Sequence, residues 1–195
     1  MPHINTLPGQ HDHTVSAYIF HYDEDDANFD DLKLLVHMHK KMGMLLQPGG
    51  HIELDESPWS AISHEIREET GYDMDQLQLL QPNMPMVTEL RSPRAVLHPL
   101  PFYVNTHEAS TAELAGVVHR HTDTTYIFLT SEDPRHVLGE DESQDLRWLS
   151  EEEIELMEVG TISSNLKDAA PVAFHLIQNT QNWCLVPPSY FKTSL

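Results

Sequence analysis

The chain has 195 residues, 39% of them apolar, and carries 31 acidic against 11 basic side chains for a formal net charge of −20. That size suits one well-cored domain spanning 1–195, and the even spread of apolar residues, punctuated by 13 prolines and 8 glycines, excludes a disordered chain. The charge argues against an extended nucleic-acid partner, whose phosphates are held by lysine and arginine. A small phosphorylated ligand would need its positive charge from a metal.

From the amino end, "MPHINTLPGQHDHT" lacks the pattern of an export or organelle signal. No apolar run approaches the roughly 18 residues that cross a bilayer, so no membrane association is expected. The lone Cys184 excludes an internal disulfide framework and a cysteine-based zinc cage, so the cytoplasm is the expected compartment.

Alternating or β-branched apolar runs predict strands at 13–20 and 32–38. The acidic run 23–31 between them reads as a solvated hairpin loop, because no glycine or closing glutamate falls at calcium-loop spacing. Further strands are expected at 44–47, 86–90, 101–105, 124–130 and 145–149. Ser150 and Glu153 stand at capping-box spacing and open a short helix that ends near Gly160. A last helix shows Ala170, Ala173, Phe174 and Ile177 on one face, with Pro171 expected in its first turn and Asp168 as its cap. The tail 182–195 is expected to pack on the surface or on a neighbouring subunit, so a homodimer is left open. Strands mixed with helices indicate an α/β or α+β layered domain.

The best-bounded element is a helix over 58–70. Ser57 suits its N-cap, Pro58 its first position and Gly71 the left-handed residue that follows it. Trp59, Ile62 and Ile66 form its apolar stripe. Glu65, Glu68 and Glu69 stand at i, i+3 and i+4, where like charges cost roughly 0.2 to 0.5 kcal/mol per pair, and Arg67 lies on another face. A solvated acidic face is one explanation. The preceding Gly49 and Gly50, with Glu53, Asp55 and Glu56 in the next loop, supply another: a cage for an oxygen-preferring divalent ion such as magnesium.

The stretch from Gly50 to Tyr72 resembles the Nudix box of the Nudix hydrolases. It matches that pattern at Gly50, Glu56, Glu65, Ile66, Glu68, Glu69, Gly71 and Tyr72, and departs from it at His64, where the family carries arginine. The resemblance implies an α/β/α sandwich with a mixed sheet. It also implies hydrolysis of a phosphoanhydride bond in a nucleoside diphosphate-type or nucleoside triphosphate substrate, with magnesium or manganese. By the same resemblance Glu65, Glu68 and Glu69 are metal ligands, the Gly49 carbonyl joins them, and Glu56 holds the residue at 64. A histidine there makes a shorter, non-bidentate contact that depends on protonation.

The general base in such enzymes comes from the box or from a distant loop. Here "GEDESQDLRWL" offers Glu140, Asp141 and Glu142, of which Glu142 is the choice, against a plain acidic surface turn. Two rival functions follow from the same family. One is a catalytically weak or inactive binding module, suggested by His64. The other is an isopentenyl diphosphate isomerase, disfavoured because Cys184 lies behind the box and not ahead of it. Motifs of coenzyme A, NADH and diadenosine-polyphosphate enzymes are not matched, and Pro82 and Pro85 are out of register for an ADP-ribose hydrolase. ADP-ribose-like and nucleoside triphosphate substrates both stay open.

Outside the box, His119, His121 and Asp123 alternate, so one strand face would present them to a phosphate or a metal unless they are ordinary edge residues. His37 and His39 alternate in the same way. Tyr126 and Trp148 are either base-stacking or core aromatics.

Overall fold

A computed structural model describes residues 11–192 apart from 27, 84–91, 93 and 110–118. Its centre is a pair of long parallel strands, β1 (His11–His21) and β7 (Arg120–Thr130), paired along their whole length from His11↔Arg120 to His21↔Thr130. Around them lie β2 (Lys33–His39), β3 (Met44–Leu46), β4 (Gly49–His51), β5 (Gln78–Pro82), β6 (Tyr103–Glu108), β8 (Leu146–Leu149) and β9 (Trp183–Val186). Among the described residues these nine strands make one mixed sheet with the main order β3-β2-β1-β7-β5-β9. β4 pairs with β1, β6 with β7 and β8 with β2, all antiparallel.

Side chains alternate across a strand, so β1 serves two cores at once. Val15, Ala17 and Ile19 face α1 (Pro58–Thr70), joining Trp59, Ile62, Ile66, Tyr126 and Phe128. Tyr18 and Phe20 face the other way, joining Ile154 of α2 (Glu151–Leu156) and Leu166, Ala170, Ala173, Phe174 and Ile177 of α3 (Ser164–Gln178). Helices thus cover both faces of the sheet, the α/β/α sandwich expected. On the α3 face both central strands are polar where they begin and apolar where they end. Asp12, Thr14 and Ser16 precede Tyr18 and Phe20, and His121, Asp123 and Thr125 precede Ile127 and Leu129.

Several local expectations need correction. Gly49–His51 forms a short strand where none was expected, because β1 supplies its partners Thr14, Val15 and Ser16. The strand expected at 101–105 runs from 103 to 108, and the one expected at 86–90 lies outside the described residues. Two further strands escaped the sequence. β5 has three buried residues in succession, Leu79–Gln81, and so no alternation, while β9 is uniformly half-buried. The tail therefore joins the sheet through β5, and Trp59 Nε1 donates to the Phe191 carbonyl at 3.3 Å.

α3 begins after Ser163 and not after Asp168, which leaves Pro171 in the helix interior. Proline there removes the bond to the Lys167 carbonyl at a cost of about 3 kcal/mol. The fully buried stripe from Leu166 to Ile177 offsets it by apolar burial, since each such side chain contributes roughly 1.5 to 3 kcal/mol.

Candidate active site

α1 is fastened at both ends. The Ser57 side chain accepts from the Ser60 amide at 3.1 Å while Ser60 Oγ accepts from the Ser57 amide at 2.8 Å, closing a capping box. At the other end Gly71 is left-handed (φ 76°), its amide donates to the Arg67 carbonyl, and a Cβ would strike the His136 carbonyl at 2.3 Å. Trp59, packed against Tyr126 and Phe128, sets the roll of the helix, so that Glu65 and Glu69 turn to β4.

The contact with β4 is close because β4 opens with two glycines. Gly49 donates its amide to Glu69 Oε2 at 2.8 Å, and its φ of 154° with a Cβ position 2.2 Å from the Val15 carbonyl admits no side chain. Glu65 lies over Gly50 and is only 4% exposed, and its Oε1 is buried without a hydrogen-bond partner. His37 of β2 brings Nε2 to 3.8 Å from Glu69 Oε2, and burial, with His39 beside it, pushes its pKa down to about 4.

Glu68, half exposed, meets His64 Nε2 at 2.9 Å, and the other ring nitrogen is 3.4 Å from Glu56 Oε1. His64 thus stands between two carboxylates, where an arginine would stand in the family pattern. Partial burial pulls its pKa down, but the hydrogen bond and charge of Glu68, followed by the fields of Glu56 and Glu65, leave it above the usual histidine value.

Glu142 belongs to the loop before β8 and comes from far along the chain. Its backbone amide bonds the Gly139 carbonyl at 3.1 Å, and Lys40 Nζ donates to the carbonyls of Glu140 and Asp141, tying this loop to the turn after β2. Glu140 and Asp141 are exposed, whereas Glu142 is half-buried and its charge acts on both Glu65 and Glu69. Burial first, then the fields of Glu68, Glu142 and Glu56, pushes Glu65 up to about 7, although His64 opposes this. Burial likewise pushes Glu69 up to about 8 against the Gly49 hydrogen bond, with Glu65, Glu142 and Glu68 adding to the rise. Glu65 and Glu69 lie against β4, and burial, with the charges of Glu68 and Glu142 added, holds both carboxyls above the ordinary carboxylate range.

The His119, His121 and Asp123 set separates. Asp123 is buried and accepts from Thr14 Oγ1 at 2.7 Å, Thr125 Oγ1 at 2.8 Å and Ser16 Oγ at 3.1 Å. The histidines instead group with Asp12, which sequence reasoning missed. Its signal is the polar "HDHT" that opens β1, legible only once β1 is known to lie parallel to "RHTD" of β7. Tyr126 is a core residue against Trp59, and the half-buried Trp148 packs edge-on against His21.

Residues 12–170 match the family model of the NUDIX domain. The chain is a member of the Nudix hydrolase family. A crystal structure of a Nudix-family hydrolase from Clostridium perfringens shares 26% identity, covers 85% of this chain and 97% of that one, and superposes with a TM-score of 0.61. The Nudix domain of Shewanella oneidensis NrtR, solved with ADP ribose, shares the fold at 16% identity, 84% and 88% coverage and a TM-score of 0.53. The Nudix hydrolase RenU from M. smegmatis does so at 17% identity, 88% and 94% coverage and 0.52. No curated protein matches this Nudix chain.

Proposed function

We propose that this Nudix hydrolase cleaves a phosphoanhydride bond in a nucleoside diphosphate-type or nucleoside triphosphate substrate, with magnesium or manganese held by Glu65, Glu68, Glu69 and the Gly49 carbonyl. The observation that carries this reading is the buried Glu65 carboxylate with its orphaned Oε1, set among Glu69, Glu68 and Glu142. An all-oxygen set with a surplus of negative charge fits a hard divalent cation. Such a cation, when bound, neutralises phosphate oxygens and lowers the pKa of water.

The protein's own groups do the rest. The Gly49 amide and α1 hold Glu69 in one orientation, and His64 links Glu68 to Glu56. Glu142 is the general base in this proposal, accepting a proton from the attacking water. Its loop is braced by Lys40, which favours a fixed distance to the helix carboxylates.

His64 in place of arginine favours a second reading, a catalytically weak or inactive nucleotide-binding module. A panel containing ADP-ribose, nucleoside triphosphates and diadenosine polyphosphates, assayed with magnesium, manganese or chelator, separates the two. Metal-dependent release of phosphate, pyrophosphate or a nucleoside monophosphate, lost in Glu68→Gln and Glu69→Gln, supports the enzyme. Tight binding of a diphosphate without turnover under any metal would replace it with the binding module. In the same proposal residues 1–195 act as one domain in the cytoplasm, on a small-molecule substrate and without an extended nucleic acid. No helix among the described residues is long and apolar enough to cross a membrane.

A further inference from the structure

A cluster of different chemistry lies on the other face of the same strands. Alternation along β4 turns Gly50 to Glu65 on the α1 side, while His51, paired with Thr14, turns to Asp12 on the α3 side. Asp12 Oδ2 is 3.2 Å from His119 Nε2 and 3.6 Å from His51 Nε2. His121 sits edge-on to both His119 and His51, with ring centroids 5.1 and 4.9 Å apart. One donor atom from each of Asp12, His119 and His121 falls within 4.8 Å of the others, and Asp12 and His119 are each 1% exposed.

We propose that Asp12, His119 and His121, with His51 as the adjacent fourth donor, form a second metal site that takes a zinc-class transition-metal ion and is separate from the glutamates of α1. The donor set is decisive for the kind of ion. Imidazole nitrogens suit zinc, iron, nickel or copper, whereas magnesium prefers oxygen and retains water. The spacing agrees as well. A tetrahedral ion with bonds of about 2.0 to 2.2 Å holds its ligand atoms roughly 3.3 to 3.6 Å apart, and the two Asp12 contacts fall in or beside that range.

The fold supplies the rigidity that such a site needs. Asp12 and His121 are register partners in the β1–β7 parallel pair, and His119 lies one residue ahead of β7. β4 brings His51 in through its pairing with β1. Three segments far apart in sequence thus meet on or beside paired strands, with His119 held at the end of β7 by the Ala109 amide, which donates to its carbonyl at 2.9 Å, and this limits how far the donors can drift. A bound cation would also compensate the burial of a carboxylate in a chain of net charge −20.

Full-length protein stripped with chelator is titrated with Co2+, and separately with Zn2+ against a chromophoric competitor, both in excess magnesium. One equivalent of Co2+ is expected to bind and to show visible bands of a histidine-ligated, low-coordinate ion. His121→Ala, at a half-exposed position, and Asp12→Asn should each weaken binding at least about tenfold, while Glu69→Gln leaves it unchanged. The proposal is overturned if no Co2+ binds in the presence of magnesium. Unaltered affinity in a folded His121→Ala protein, or loss of the site in Glu69→Gln, overturns it equally.

Discussion

Glu65 occupies the space above Gly50: a Cβ placed on Gly50 would sit 2.1 Å from Glu65 Oε1. The glycine is therefore what lets a buried carboxylate reach the strand. Gly50→Ala should displace the end of a flexible side chain and leave the fold intact, so thermal unfolding is expected to change little while metal-dependent turnover falls. Gly49→Ala should lower stability as well as turnover, since its obstacle is the Val15 backbone and its φ is unsuited to a side chain. A loss of about 1 to 3 kcal/mol in urea unfolding is expected there.

Metal-free protein should lose stability as pH rises from about 4.5 to about 8. Glu65 and Glu69 have pKa values near 7 and 8 in the folded chain against an ordinary 4.5, so the folded state holds protons that the unfolded state has released. Their contribution is complete below about 4.5, declines as pH rises and is gone once pH has passed the folded values. His37, lowered to about 4, acts oppositely but only below its ordinary 6.5. Melting temperature against pH in chelator measures the slope, and Glu69→Gln should flatten it.

His64→Arg should raise activity more at alkaline than at acidic pH. A protonated His64 already offers Glu68 and Glu56 a charged donor, whereas a neutral one does not. Charged hydrogen bonds exceed neutral ones by about 1 kcal/mol, worth roughly fivefold in rate. Comparing the Arg-to-His rate ratio at pH 6 and pH 9 checks this, and an equal ratio at both would show that charge at residue 64 does not govern turnover.

Glu142→Gln should lower kcat by about 10² to 10⁴-fold with little change in KM, as expected on removing a general base. Asp141→Asn, on the exposed side of the same loop, should leave both constants near wild type. If the two substitutions behave alike, the base lies elsewhere. Steady-state kinetics at saturating metal distinguishes these outcomes.

The sequence by itself determined α1 and its acidic cluster. A serine cap, a proline, an apolar stripe and a terminating glycine are local signals, and i, i+3, i+4 spacing places the three glutamates on neighbouring positions of any helix that forms. The layered class and most strands were legible for the same reason, since alternation is a property of neighbours in the chain. Pairing between distant segments is not written locally. Only the tertiary structure decided that β4 lies under Glu65 and Glu69, that the Glu142 loop reaches them, and that Asp12 joins His119 and His121 across the parallel β1–β7 pair. β5 was hidden because burial on both faces erases alternation, and β9 because its four residues are all equally half-buried. Pro171 could enter the middle of α3 because burial of its apolar face outweighs one lost backbone bond, a balance set by what the helix packs against.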